Sequence, residues 1–131
     1  MYPRHDNRPV YLSLLKFHFP LNAVISILHR ITGVLLVISL LLGLIWLHSV
    51  ILQPETYAEN RQVWTHPLGQ LMLSLGGISL WFHWLSGMRH LLIEHNIGGL
   101  LSSLERSRLS GKMMLFIFVI GTLWLLWEIW I

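Results

Sequence analysis

Two short clusters in this sequence contain residue types that could bind a cofactor or move protons. In the first, Ser26 lies three residues before His29 and four before Arg30, so all three share one face of a helix. A hydroxyl, an imidazole and a guanidinium on one face could hydrogen-bond a small ligand that carries carbonyl groups. The competing interpretation is that Arg30 only extends to lipid headgroups, as arginines near membrane-helix ends often do.

The second cluster lies at the end of a later apolar segment and centres on His83. Gly87 follows it by one helical turn and His90 by two turns, so these residues share a face. A histidine in apolar surroundings beside a small residue suits axial ligation of a flat haem. Arg89 and His90 would then lie where haem carboxylates need cations and donors. The alternative is a structural histidine that is hydrogen-bonded to a neighbouring helix.

Long apolar segments must position these clusters, and the sequence contains three of them, at 31–52, 68–85 and 113–131. Each is close to the roughly 20 residues with which a helix crosses the hydrocarbon core of a membrane. Strands are disfavoured, because the segments do not alternate and three strands cannot close a barrel. The sequence therefore predicts one all-α integral membrane domain over residues 1–131, with three transmembrane helices near 20–52, 66–95 and 110–131.

Charges in the connecting segments predict how the helices are oriented. Two segments are basic: the N-terminal one has Arg4, Arg8 and Lys16, and the one between the second and third spans has Arg89, Arg106, Arg108 and Lys112. The connection between the first two spans has Glu55 and Glu59 against Arg61. Because cytoplasmic loops are enriched in Lys and Arg, the N-terminus is predicted to be cytoplasmic and the C-terminus outside. Both clusters then lie near the cytoplasmic face, with Ser26 nearer to the cytoplasm than His83.

Small and aromatic residues in the spans suggest contacts between helices and with the membrane interface. Glycines at four positions would permit close helix packing, although glycines are also common in membrane helices in general: Gly33, Gly43, Gly76 and Gly77. Four tryptophans lie toward the outer ends of the spans, where an aromatic belt is expected: Trp46, Trp124, Trp127 and Trp130.

Composition excludes several classes of protein. Apolar residues make up 54% of the 131 residues and charged residues only 11%, against about 25% charged in soluble domains. The formal charge of +3 is spread along the chain rather than gathered in one block, which disfavours nucleic-acid binding. Cysteine is absent, which excludes disulfides, iron–sulfur ligation and thiol nucleophiles in this chain. A bound cofactor must therefore use the eight histidines, methionines or carboxylates.

Together the two clusters resemble the cytochrome b subunit of succinate dehydrogenase, the large membrane anchor of respiratory complex II. The resemblance extends over nearly the whole chain. Met88 stands where that family often has isoleucine, and His95 after Glu94 is a small departure. The matching motifs are Arg8-Pro9, Ser26-Ile27-Leu28-His29-Arg30-Ile31-Thr32-Gly33 and His83-x-x-x-Gly87-Met88-Arg89-His90-Leu91.

The resemblance implies cofactors and partners. A flavoprotein subunit would oxidise succinate at FAD, and an iron–sulfur subunit would pass the electrons to ubiquinone at the cytoplasmic side of the bacterial inner membrane. Ser26 would serve the quinone site as a hydrogen-bond donor or proton route, and Arg30 as electrostatic support. His83 would be one axial ligand of haem b, with the second histidine supplied by another small membrane anchor. His29, Arg30 and His90 would bind the haem propionates.

Three alternatives stay open at this point. The anchor of a fumarate reductase would run the same couple in reverse. A proton- or ion-conducting subunit would need polar residues at all depths of the membrane. The third span, at 113–131, contains no ionisable residue before Glu128. A structural anchor without haem would make no use of His83 as a ligand.

Overall fold

The computed structural model describes residues 19–100 and 103–131, and within them the chain is helical with no strand. Two single turns of 3-10 helix, Pro54–Thr56 and Ile97–Gly99, lie in the connections. The four α-helices are α1 (Leu21–Leu52), α2 (Tyr57–Thr65), α3 (Pro67–Glu94) and α4 (Leu104–Trp130). The all-α prediction is therefore confirmed for the part of the chain that is described.

Helix α3 lies between α1 and α4 and runs antiparallel to both. At one end of the bundle, Arg89 near the end of α3 bonds to Asn22 at the start of α1 and to Ser107 at the start of α4. At the other end, the Gln70 side chain of α3 donates to the Ile129 carbonyl of α4 over 2.9 Å. We call these the basic end and the tryptophan end. Of the charges used to predict orientation, Arg4, Arg8 and Lys16 lie outside the described residues.

Two helices, α1 and α4, are long and apolar enough to cross a membrane. Helix α3 has 28 residues, about 42 Å at 1.5 Å per residue, so its length would also suffice. It is less apolar because its inward face buries polar side chains, among them Ser74, Ser79, Ser86 and Arg89. The third crossing stays a prediction, and the polarity of α3 has a structural cause.

Few apolar side chains are buried inside the bundle. In the described residues the buried apolar core consists of Ile25, Phe82 and Met114, one from each long helix. Phe82 also meets Phe118 edge-on, with 5.1 Å between ring centroids. Most other large apolar side chains are exposed, and none is buried in the most apolar stretch of α1. This surface is suited to hydrocarbon or to another membrane subunit rather than to water.

Glycines bring the three long helices close together. A Cβ on Gly33 would lie 3.0 Å from the His83 ring, one on Gly76 would lie 3.2 Å from Ser39, and one on Gly77 would lie 2.8 Å from Leu125. These three glycines therefore lie at helix contacts, as predicted. Gly43 has nothing within 4 Å of its Cβ position, so its predicted contact is not made within this chain.

The tryptophan end is held by indole hydrogen bonds as well as by aromatic contacts. Trp130 donates to the Ser74 hydroxyl over 3.0 Å, and Trp46 donates to the Asn60 carbonyl of α2. Trp46 also meets Trp64 edge-on, at 5.1 Å. Trp124 and Trp127 are exposed, at 69% and 61% of their surfaces, as expected of an aromatic belt.

Two features differ from the predicted elements. Helix α4 begins at Leu104, six residues before the predicted start at 110, because the Ser103 hydroxyl caps it by accepting the Arg106 amide at 3.1 Å. Helix α2 was not predicted, since its segment is polar and short. The predicted helix 20–52 is one residue longer than α1 at its start, and the predicted helix 66–95 is one residue longer than α3 at each end.

We expect Gly121→Ala to lower the thermal stability of the assembled protein. A methyl group there would collide with the Trp81 indole, which packs directly on this glycine, and overpacking of this kind costs about 1–3 kcal/mol. Gly43→Ala is the matched control, because open space surrounds that position and alanine favours a helix by up to about 1 kcal/mol. Thermal unfolding midpoints of the two variants would be compared, and equal midpoints would contradict the proposed contact.

Candidate functional site

A cleft of about 560 Å³ opens between α1 and α3 at the basic end of the bundle. Its walls carry polar and ionisable side chains on both helices, and Ser107 of α4 lies at its border. The residues that line it are Asn22, Ile25, Ser26, His29, Arg30, Ser86, Arg89, His90, Ile93 and Ser107. The structure therefore brings four of the five predicted site residues to one cleft, and the fifth, His83, contacts His29 next to it.

The α1 wall of the cleft has its donors available. Ser26, His29 and Arg30 face the cleft together, as their helical spacing predicts. The side chains of Ser26 and Arg30 are exposed and make no hydrogen bond within 19–100 or 103–131, whereas His29 is half-buried. A hydroxyl and a guanidinium without protein partners can donate to a ligand that enters the cleft.

The α3 wall contains an exposed imidazole and a serine whose hydroxyl is already hydrogen-bonded. His90 is exposed at the cleft, while Ser86 is buried and donates to the Phe82 carbonyl over 2.7 Å. Gly87 lies opposite His29, where a Cβ would be 3.6 Å from the His29 Nε2. The small residue predicted beside the histidines is therefore next to an imidazole, at ordinary contact distance.

His83 is held by the backbone of α1 in a defined orientation. Its ring stacks on the His29 ring with centroids 4.1 Å apart and 17° between planes, and its Nδ1 lies 3.1 Å from the His29 carbonyl oxygen. Since a carbonyl can only accept, Nδ1 must be the donor in this contact. In the neutral ring the lone pair is then on Nε2, which is the atom left to bind a metal.

This geometry fits axial ligation of a haem by a single histidine from this chain. Bonding of the other ring nitrogen to a carbonyl is the usual support of a metal-binding histidine, because it fixes the tautomer and the ring orientation. Among the described residues no group of three or more His, Cys, Asp or Glu could hold a metal ion by itself.

Arg89 lines the cleft and is hydrogen-bonded to polar groups of α1 and α4. Its guanidinium is buried at 9% exposure and turns toward α1 and α4. Nη2 donates to the Asn22 side-chain oxygen and to the Ser107 carbonyl, both over 2.8 Å, and Nε donates to the Ser110 hydroxyl over 3.1 Å. Asn22 in turn donates to the Ser107 hydroxyl over 2.9 Å, so one cluster joins all three long helices.

The cleft is electropositive. Arg30, Arg89, His29 and His90 line it, and within residues 19–100 and 103–131 no Asp or Glu does. Cations and donors that converge without acidic partners favour a ligand with carboxylate groups or with oxygens that gain negative charge.

A second groove, of about 600 Å³, runs between α3 and α4 toward the tryptophan end. Tryptophans and leucines line it, and Glu128 is its one ionisable residue. It offers apolar surface for a lipid chain or a neighbouring helix but few groups that could do chemistry. The smaller cleft at the basic end is therefore the better candidate site.

Several cleft residues were missed by the sequence interpretation. Asn22 precedes Ser26 by four residues and Ser86 precedes His90 by four, so helical spacing could have added both. Ser107 could not have been found in this way, because it lines the cleft from α4, a different helix. His48 lies on α1 far from this cleft, in an apolar groove of its own helix.

Comparison with known proteins gives consistent matches. Residues 4–125 match the family model described as succinate dehydrogenase/fumarate reductase transmembrane subunit. A succinate dehydrogenase cytochrome b556 subunit of Paracoccus denitrificans is 36% identical over 92 residues, 70% of this chain and 71% of that protein. The protein of the same name from Coxiella burnetii is 38% identical over 96 residues, 66% of this chain and 70% of that protein.

Proposed function

Because this chain belongs to the succinate dehydrogenase/fumarate reductase transmembrane subunit family, we propose that it is the haem b-containing membrane anchor of a succinate dehydrogenase and contributes to its ubiquinone-reduction site. The partners in this proposal are a flavoprotein subunit with FAD, an iron–sulfur subunit and a second small membrane anchor. The complex lies in the inner membrane of a bacterium, with three spans of this chain and the basic end facing the cytoplasm.

The observation that carries the proposal is the convergence of Ser26, Arg30 and His90 on one electropositive cleft, with His83 oriented beside it. Reduction of a quinone requires donors at its carbonyl oxygens and a positive field while negative charge develops on them. Ser26 and Arg30 supply both from adjacent turns of α1. Their lack of partners within the described residues leaves these donors free for a ligand.

Each cleft residue has a specific task in this proposal. The Ser26 hydroxyl donates to a quinone carbonyl and can pass a proton to it, because a hydroxyl both accepts and donates. The Arg30 guanidinium holds a fixed positive charge over the same oxygen. Ile25 and Ile93 provide apolar walls that keep the ring in place and limit access of water.

The histidines would hold the haem. His83 would bind the iron through Nε2, while His29, Arg30 and His90 would donate to the propionates. When bound between two histidines, haem b supplies one-electron transfer rather than oxygen binding. The hydrogen bond of His83 to the His29 carbonyl would keep its ring in the orientation required for ligation.

A fumarate reductase anchor is the second candidate, because the family includes both enzymes. Both relatives described above are named as succinate dehydrogenase subunits, which favours the succinate-oxidising direction. A proton- or ion-conducting role has less support: the only buried charged side chain among the described residues, Arg89, lies at one end of the bundle.

Deletion of the gene for this chain is the direct test. In a strain that lacks it, we expect succinate–dye reductase activity to move from the membrane to the soluble fraction and succinate–ubiquinone reductase activity to disappear. Expression of the chain should restore both. Retention of full succinate–ubiquinone activity without the chain would contradict the proposal. Faster quinol oxidation by fumarate than succinate oxidation by quinone would favour the fumarate reductase.

A further inference from the structure

Arg89 is a buried cation whose hydrogen-bond partners among the described residues are all neutral. Its acceptors are the amide oxygen of Asn22, the main chain and hydroxyl of Ser107, and the hydroxyl of Ser110. No carboxylate of the described residues pairs with it. Burial of an arginine usually requires a paired anion, since the cost of desolvating an isolated charge is high. An arginine with good hydrogen bonds but no counter-charge keeps its positive field available to its surroundings.

The direction of that field is set by the position of Arg89 at the cleft. The residue lines the cleft together with Asn22 and Ser107, behind the Ser26 and Arg30 wall. Nε and Nη2 make all of its hydrogen bonds within 19–100 and 103–131, and Nη1 makes none there. The guanidinium is therefore held by groups from α1 and α4, and its Nη1 has no hydrogen-bond partner among the described residues.

We propose that Arg89 is an anion-stabilising residue of the cleft, with its charge left unpaired by Asn22, Ser107 and Ser110 so that it acts on an anionic oxygen of the bound ligand. The inference rests on the proposed function and extends it to a residue on α3. The oxygen belongs either to a quinone that is being reduced or to a haem carboxylate. Both carry negative charge that a nearby fixed cation would stabilise.

Asn22 offers a substitution that separates charge from geometry. In Asn22→Asp the side chain keeps its shape and an oxygen that can accept from Nη2, but its carboxylate would neutralise Arg89. The Ser107 hydroxyl can then donate to it instead of accepting from it. If Arg89 only holds the helices together, this variant should be as stable and as active as the wild type or better.

The experiment uses the whole complex in membranes. Dye reduction by the soluble subunits gives the amount of assembled complex, and each quinone-reduction rate is divided by that amount. For Asn22→Asp we expect kcat for short-chain ubiquinone to fall about tenfold, which is modest for the loss of one charged group at a reacting oxygen. Asn22→Ala removes the amide without adding charge, so its kcat should fall much less than that of Asn22→Asp. Asn60→Asp, on α2 at the tryptophan end, adds the same charge far from the cleft and is the matched control.

A redox titration of the haem distinguishes the two sources of the anion. A fall in kcat with an unchanged haem midpoint potential assigns Arg89 to the quinone, whereas a lowered potential with unchanged quinone kinetics assigns it to the haem carboxylate. Wild-type kinetics and potential in Asn22→Asp would overturn the inference. If Ser26→Ala also left quinone reduction intact, the proposed quinone site itself would be wrong. If only Asn22→Asp were silent, the error would lie with Arg89 alone.

Discussion

Replacing His83 by leucine is expected to abolish the low-spin haem b band in the dithionite-reduced minus oxidised spectrum of the membrane complex. Leucine has no Nε2. In His83 this is the one ring nitrogen left to bind iron, because Nδ1 donates to the His29 carbonyl. The low-spin band should be lost completely, because it requires both axial histidines and this chain supplies one of them.

The same substitution should disturb the bundle little. Leucine is apolar and His83 is half-buried, and the His29 carbonyl keeps a second partner, the Thr32 hydroxyl at 3.1 Å. Flavin content in the membrane would verify assembly independently of haem. His48→Leu, at an exposed position of α1 far from the cleft, is the control and should keep the band.

Three spectroscopic outcomes would change the assignment of His83 as a haem ligand. An unchanged band in an assembled His83→Leu complex would exclude His83 as a ligand and direct the test to His29 and His90. Loss of the band in both His83→Leu and His48→Leu would point to a general assembly defect. Absence of any band in the wild type would make the chain a haem-free anchor, and the quinone role of Ser26 and Arg30 would be its whole function.

The second large effect is expected at the α1 wall of the cleft. In Ser26→Ala and Arg30→Met, succinate–ubiquinone reduction should fall roughly 100-fold per assembled complex, as when one preorganised donor is removed from a reacting oxygen. Dye reduction by the partner subunits should count equal amounts of complex. Both side chains are exposed to the cleft and bond to nothing else in the described chain, so a structural cost is expected to be small.

Matched controls come from the same chain. Ser39→Ala removes a hydroxyl that is bonded to the Leu35 carbonyl of its own helix, and Arg61→Met removes an exposed arginine of α2. Both should keep quinone reduction near the wild-type rate. Rates within twofold of wild type in Ser26→Ala and Arg30→Met would show that the quinone binds elsewhere.

Helical periodicity was sufficient to predict which residues of one helix act together. Ser26, His29 and Arg30 share the cleft as their spacing indicates, and the resemblance drawn from their motif and the His83 motif is confirmed by the family match over residues 4–125. Contacts between helices were beyond this reasoning. The stacking of His83 on His29 depends on the register of α3 against α1, which Gly33 permits by leaving room for the His83 ring.

Arg89 illustrates the limit most clearly. The sequence interpretation placed it with His90, where haem carboxylates would need cations and donors, but successive helical residues face directions about 100° apart. Its acceptors Ser107 and Ser110 lie on α4, whose first turn was predicted as part of a loop. No local pattern links a residue at the end of one helix to hydroxyls at the start of the next.

The cluster around Arg89 also bears on how the bundle is assembled in a membrane. In the three-span arrangement proposed above, α3 with its buried serines and its arginine would be poorly soluble in lipid as a lone helix. Withdrawal of α1 would remove Asn22 from Arg89, and withdrawal of α4 would remove Ser107 and Ser110, so either loss would leave the arginine with fewer hydrogen-bond acceptors. The three helices should therefore insert and dissociate cooperatively, with α3 retained in the bilayer only while both neighbours are in place.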